Sequence, residues 1–442
     1  MQALAQIIKS KSFSSLIGNG LGAIFGVITF ALLARVLPKE VFGSYLIFLA
    51  IYGVFETLRI GMVMNALVRN LAQCNSEEEE NIVVGSTLFI TFFLTLVFLV
   101  LTAALYFIFS FLGILIPYLY FFKWLILMAL LSAPNNFATW YLNAKLKIVE
   151  MSVIRIITQL VFIFITWFYL QQTESVQAVI LCLAISHLFA SLVAVLMGWS
   201  GIKYLFLYTK VKVLEVFHFG KFSMGTLIGA NLLRSSDSFI IGSSFLGGAG
   251  VALFNVPARL IEIIEVPLRS FAVTALPQFS KLFVSKSHIE LRFEFEKKAG
   301  LVFFLLLPIS ILCFVFADWF VFLIGGKGYE ESAILLRLFA TYMAILPLDK
   351  FSGVLLDTIN KPNINFYKVL IQLAVNIIGD IIGLYFFGNL QSVAIVSTAT
   401  FVAGVLFGYI QLNKHLGVKF SNVLRLGWFE FKNKSLSVIN IK

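Results

Sequence analysis

The residues of this chain with types and spacing that could do chemistry sit inside long apolar runs. The run at about 250–277 carries Asn255, Arg259, Glu262, Glu265 and Arg269. At 100° per residue these fall within an arc of about 120°, while Ile261, Ile264, Leu268 and Phe271 take the opposite face. One side of such a helix is polar along roughly 20 Å, and spacings of three and four let its charges pair. The preceding run, about 220–246, places Arg234 and Asp237 at its middle among Ser235, Ser236 and Ser238, with Asn231 one turn earlier. A cation beside an acid at that depth suits an anion that competes with the internal pair, and it suits a static salt bridge equally. The first half of the chain offers Glu56, Arg59 and Arg155. Asp380 lies well inside a later run without an obvious local partner, which leaves a cavity and an ion pair both open.

Ionisable groups inside a membrane cost at least about 2.5 kcal/mol each at a helix centre, so they face a cavity or a partner. Packing alone seldom needs four charges on one stripe. The 250–277 run is therefore expected to line water, with a self-neutralised interhelical network as the alternative. The expected anion-binding groups are Arg234, Arg259, Arg269, Arg59 and Arg155 with Asn231 and Asn255. Asp237, Glu262, Glu265, Glu56 and Asp380 are expected to balance charge or to couple to an ion, a proton or sodium. Elsewhere the chemistry is sparse. There is no GxSxG or Walker A motif, and Cys74, Cys182, Cys313 and the four histidines never approach metal-ligand spacing. No catalytic residue, metal or cofactor is expected, and the chain does not read as an enzyme.

The elements that position these residues follow from composition. Hydrophobic residues make up 60% of the chain and charged ones 12%, against roughly 25% charged in soluble domains. Apolar runs fall at about 13–34, 41–68, 82–109, 117–142, 148–170, 176–200, 220–246, 250–277, 299–324, 332–356, 364–388 and 390–412, each long enough to span a bilayer. Lys9 and Lys11 precede the first, with no small-residue cleavage site after it, so it reads as a span and not a signal peptide. The net charge of +11 does not point to nucleic acid, because Lys and Arg gather in alternate connections. One set holds Lys9/Lys11, Arg69, Lys145/Lys147, Lys203/Lys210/Lys212, the group from Lys281 to Lys298, Lys361, and the tail from Lys414. The other set holds Arg35/Lys39 and Lys327 and otherwise almost nothing; 110–116, 171–175, 247–249 and 388–391 have no Lys or Arg. Positive-rich loops stay in the cytoplasm. The expectation is an all-α integral membrane protein of about twelve spans, with both termini cytoplasmic.

The halves are similar. Ala34–Tyr45 aligns without gaps on Ser243–Phe254, and the same offset places Glu56 on Glu265. Tyr141–Lys147 matches Leu355–Lys361 after a slip of five residues. Six spans separate the equivalents, so the expected architecture is two parallel six-helix repeats around a central cavity, an arrangement found in transporters. The expected lobes are 1–205 and 206–412, followed by a basic cytoplasmic tail, 413–442, whose Leu416–Phe431 stretch suits the inner membrane surface.

The run Leu32–Tyr45 (LLARVLPKEVFGSY), Asp237–Gly242 followed by Val251–Leu260, and the Leu355–Asn363 turn together resemble the Wzx-type polysaccharide and O-antigen flippases. These belong to the superfamily that also holds multidrug extruders and the lipid II flippase. The resemblance covers about residues 10–412; each motif is degenerate, and their order and spacing carry the match. It implies translocation of an undecaprenyl-diphosphate-linked oligosaccharide to the outer leaflet by alternating access, for O-antigen, lipopolysaccharide, capsule or exopolysaccharide assembly. Membrane lipid and glycan polymerase or ligase machinery are the implied partners. Arg234, Arg259 and Arg269 would then meet the diphosphate, with Glu262 and Glu265 tuning it. A cation-coupled drug exporter of the same fold usually has an acid in its first span, and Ser14–Ala34 has none. The lipid II flippase usually has two further C-terminal spans, for which 413–442 has no room. A membrane polysaccharide polymerase typically has a long basic external loop, and no external connection here exceeds about fifteen residues.

Overall fold

In hydrocarbon a chain must satisfy its backbone hydrogen bonds internally, and every apolar run here becomes helix. The computed structural model describes residues 11–113, 119–169 and 173–439, with the side chains of 11–21, 23, 222, 223, 225, 226 and 434–439 left aside. Lys9, positions 114–116 and 171–172 of the outer connections, and residues 440–442 lie outside the described residues. The helices are α1 (Lys11–Val36), α2 (Lys39–Leu71), α3 (Glu77–Leu112), α4 (Leu119–Ala144), α5 (Ile148–Tyr169), α6 (Val176–Leu196), α7 (Lys210–Ser243), α8 (Gly247–Val284), α9 (His288–Val315), the short α10 (Ala317–Gly325), α11 (Ser332–Met343), α12 (Leu346–Thr358), α13 (Pro362–Phe387), α14 (Leu390–Leu416) and α15 (Phe420–Ile439). There is no strand among the described residues. The chain is an all-α, multi-pass membrane protein.

Seven of these helices are long and apolar enough to cross a membrane: α2, α3, α5, α6, α9, α13 and α14. The α11–α12 pair, bent by 43°, makes an eighth. Helices α4, α7 and α8 cover expected spans but are not among these; they carry the polar side chains taken up below. Of α1, Ile24–Val36 is the apolar part.

Helix ends obey local chemistry. Ser76, Ser175 and Asn389 accept the Glu79, Ala178 and Ser392 backbone N–H groups at 3.2, 3.1 and 3.0 Å, capping α3, α6 and α14. Glu77–Glu80 form the first turn of α3, where the helix dipole favours acids.

The chain divides into two compact units, Met1–Asn231 and Leu232–Lys442, with α7 running through the boundary. In the first unit α1 packs on α5, α5 and α4 on α6, and α3 on α4. The second unit repeats the scheme six spans on. There α7 bonds to α13 through Ser236 and Asn376, α13 and α11 pack on α14, and α9 packs on α11. The aligned turns repeat it in detail. Leu146 and Asn360, paired by the internal alignment, both hold positive φ, 56° and 59°. Around each, Lys147 N reaches Leu142 O and Lys361 N reaches Leu356 O, both at 2.9 Å, the six-to-one bond of a Schellman cap. A β-carbon is disfavoured at such a position. Leu146→Gly is therefore expected to stabilise the protein by up to about 1 kcal/mol, read as a rise in the thermal midpoint; a fall would show that the leucine side chain holds the turn.

Close crossings are made by glycine. A β-carbon on Gly61 would strike the Met224 backbone and one on Gly220 the Met62 carbonyl, so α2 and α7 touch main chain to main chain. Sequence alone suggests a surface tail for α15, but this helix is docked on α9 through Gly300 and Gly427 in the same manner. Lys297 pairs with Glu430 at 3.3 Å, and Trp428 lies against Phe304 at 5.3 Å between ring centres.

Candidate functional site

The polar stripe of α8 and the middle of α7 come together in the second unit as a chain of alternating charge. Arg259 Nη1 donates to Glu262 Oε2 at 2.5 Å, and Glu262 Oε1 lies 3.8 Å from Arg234 Nη1. Arg234 Nη2 donates to Glu265 Oε2 at 3.2 Å, which also accepts from Arg269 Nη2 at 2.8 Å. Three guanidinium groups and two carboxylates leave one net positive charge. The face is open: the Arg234 side chain is 51% exposed and that of Arg269 47%. Behind it Ile261 and Leu268 are buried. Exposed ion pairs of this kind hold one another by about 0–1 kcal/mol, so a ligand phosphate could take over either guanidinium at little cost. Asn255 continues the stripe, its Nδ2 donating to Ser238 Oγ at 3.1 Å and to Val251 O at 2.9 Å.

The spacing of Arg234 and Asp237 allows them to pair along α7, and they do not meet. Arg234 turns to α8, whereas Asp237 Oδ1 accepts from Asn376 Nδ2 of α13 at 2.8 Å. The Asn376 Oδ1 in turn accepts from Ser236 Oγ at 2.5 Å. One turn along α13, Asp380 is 0% exposed, and neither carboxylate oxygen finds a hydrogen-bond donor among the described residues. Asp237 presses a like charge on it. With Asp380 buried and Asp237 partly buried, a proton shared between them or a cation held by them would offset that repulsion.

Lys368, Gln372, Asn376 and Asp380 recur every fourth residue, all buried on one face of α13. At the far end of this face Lys368 Nζ contacts Asp349 Oδ1 at 2.9 Å, Asp349 O at 2.8 Å and Ser352 Oγ at 3.3 Å. Gln372 Nε2 donates to Asp349 Oδ1 at 3.2 Å. Glycines of α14 admit these side chains. A β-carbon at Gly404 would overlap Gln372, one at Gly408 would crowd Ser352 and touch Lys368, and Val396 would crowd one at Gly379. That antiparallel register sets Thr400 opposite Asn376, and the buried Thr400 Oγ1 has no hydrogen-bond partner among the described residues. Asn376 and Thr400 were not singled out from sequence. The four-residue spacing on α13 was visible there, but what faced it was not.

In the first unit Glu56 and Arg59 form an enclosed pair. Arg59, 0% exposed, donates to Glu56 Oε1 at 2.5 Å and to Thr95 Oγ1 at 3.0 Å, and its guanidinium lies 4.9 Å from the Phe55 ring centre. Asn136 Nδ2 donates to Glu56 Oε2 at 2.9 Å. A π-helical turn, Ile60–Met64, follows Arg59, a feature often found at functional sites. Asn231 of α7 donates to Thr57 Oγ1 at 2.8 Å. Arg155 stands exposed on α5. Of the expected binding groups, then, Arg234, Arg259 and Arg269 converge on one open face, while Arg59 is shut inside its unit. No group of three or more His, Cys, Asp or Glu converges as a metal site among the described residues.

A family model described as polysaccharide biosynthesis protein matches residues 8–283. No curated protein matches the chain significantly. Among solved structures the chain is similar to the lipid II flippase MurJ in an inward closed conformation, at a TM-score of 0.73 and 15% identity, covering 94% of this chain and 90% of that one. It is also similar to an inward-facing multidrug resistance MATE family transporter of the MOP superfamily, at 0.70 and 14%, covering 89% and 95%. A MOP superfamily transporter from Pyrococcus furiosus, described as having a binding pocket of reverse polarity, follows at 0.62 and 12%, covering 91% and 94%. At such identities the likeness is one of fold, that of the MOP superfamily transporters.

Proposed function

This chain belongs to the polysaccharide biosynthesis protein family, and from that premise we propose that it is a flippase for lipid-linked oligosaccharide. It moves a sugar chain on undecaprenyl diphosphate from the cytoplasmic to the outer leaflet of a bacterial inner membrane, by alternating access of its two six-helix halves. The basic connections and both termini face the cytoplasm. O-antigen, capsule or exopolysaccharide assembly would use the product, passing it to a polymerase or ligase.

One observation carries this reading: the open Arg259–Glu262–Arg234–Glu265–Arg269 chain of charge on α7 and α8, two helices that cover expected spans. A diphosphate is a doubly anionic, multiply accepting group that matches guanidinium forks. On binding it would draw Arg234 and Arg269 away from Glu265, and on release the acid would reclaim them. Asp237, held by Asn376, and Asp380, one turn further along α13, are assigned to coupling. A proton or a sodium ion bound between the two carboxylates would remove their repulsion, linking its own gradient to movement of α7 against α13.

The test is complementation of a flippase-null strain supplied with the cognate glycan-assembly genes, with lipid-linked oligosaccharide quantified on the outer leaflet. Arg234→Gln and Arg269→Gln are each expected to lower that signal about tenfold at unchanged protein level, because their ion pairs are exposed. Loss of the protein itself would make the pairs structural. If no external glycan returns with a well-expressed wild-type chain and confirmed donor lipid, the second reading takes its place. That reading is a cation-coupled small-molecule exporter, favoured by the fold shared with the multidrug resistance transporter.

A further inference from the structure

The basic end of the second unit holds a cavity of about 670 Å³, a size typical of small-ligand sites. Leu276, Ser280, Phe283 and Val284, from the last turns of α8, line one side of it. Counted at 100° per residue, these four fall in the same arc of about 120° as Asn255, Arg259, Glu262, Glu265 and Arg269. Helix α8 runs from Gly247 to Val284 with Pro277 near its end, and by the helical count the cavity lies on the side of the charged face, about 16 Å along from Arg269 to Ser280.

The other walls supply complementary chemistry. Lys286 and His288 line it from the turn between α8 and α9, and the His288 ring stands edge-on to Phe283 at 6.0 Å. Lys286 holds φ at +57°, where glycine would be at ease and a lysine is strained. Across the cavity Asp357 and Asn360 come from the end of α12. Asn365 Nδ2 lies 3.0 Å from both Asp357 oxygens, which fixes the carboxylate in place. Ammonium and imidazole groups suit phosphate oxygens. A fixed carboxylate and an amide suit sugar hydroxyls, and Phe283 offers a flat apolar face to a sugar ring. A phospholipid headgroup phosphate would use Lys286 alone, whereas a sugar–diphosphate also brings hydroxyls to Asp357 and Asn360.

We infer that this cavity is a capture site for the sugar–diphosphate head at the cytoplasmic surface, from which the head passes along the same face of α8 to Arg269 and Arg234. The inference rests on the flippase reading and adds a first stop to it.

The experiment uses the full chain in phosphatidylcholine nanodiscs, with farnesyl diphosphate and farnesyl-diphosphate-linked N-acetylglucosamine as probes. Lys286→Gly removes the ammonium while relieving the strained turn, so thermal stability is expected to hold or rise as both probes bind about tenfold more weakly. Asp357→Asn is expected to weaken only the sugar-bearing probe. If Arg234→Gln and Arg269→Gln weaken binding but Lys286→Gly and Asp357→Asn do not, the capture site is overturned and the flippase reading stands. Equal competition by phosphatidylglycerol added to the nanodiscs would make the cavity a phospholipid site and overturn the inference as well. Binding of neither probe to the wild-type chain would take both readings down.

Discussion

Asp380→Asn is expected to cut outer-leaflet transport by about a hundredfold and to leave the folded protein as stable as the wild type or more so. The two halves of that result have one cause. Asp380 is fully buried, its oxygens find no donor among the described residues, and Asp237 adds a like charge beside it. An isolated buried carboxylate is costly to the fold, so its neutral isostere removes a burden, and its amide can donate to Asp237 in place of a shared proton. What disappears is the ability to take up a proton or a sodium ion in exchange for that repulsion. Asp237→Asn should behave similarly in transport but lose more stability, because the bond Asp237 accepts from Asn376 at 2.8 Å loses its charge assistance. Outer-leaflet glycan measured under an imposed proton or sodium gradient, with thermal unfolding of the same variants, separates the outcomes. A stability loss in Asp380→Asn that accounts for its lost transport would return Asp380 to a structural role.

Lys368→Ala should destabilise the second unit by about 3–5 kcal/mol, the cost of breaking a buried ion pair from one side. The Lys368 side chain is 4% exposed and that of Asp349 15%, so removing the ammonium strands a carboxylate in a packed interior. Gln372 then remains as its donor, at 3.2 Å. The double variant Lys368→Met/Asp349→Leu is expected to recover most of the loss, since apolar groups of similar volume replace buried ion pairs at little cost. Unfolding of purified protein in detergent reads both. If the double variant is as unstable as the single one, the pair does more than neutralise charge, and α13 depends on its hydrogen bonds to Asp349 O and Ser352.

What could be read along the chain is what depends on local cost. Apolar runs became helices because the expense of an unsatisfied backbone in hydrocarbon is the same whatever the neighbours are. The polar face of α8 followed from spacing, since the helical period rotates each residue by a set angle. The pairing of Leu146 with Asn360 by internal alignment held in three dimensions, because a Schellman turn is closed by the residues that form it.

Choice of partner was another matter. Three residues of spacing allowed Arg234 to pair with Asp237, but α7 is rotated so that Arg234 meets Glu262 and Glu265 while Asp237 meets Asn376. Asp380, partnerless in sequence, lies by an acid 143 positions earlier. Gly300 and Gly427 are silent in a sequence, since their role is the side chain they lack, and only the crossing of α9 and α15 gives it meaning. Sequence by itself determined the solvent, the helices, their repeat and the faces on which charge lies. Tertiary structure alone decided which charges meet and which are shut away, because contacts between helices depend on rotation and register, and these are set by packing between segments far apart in the chain.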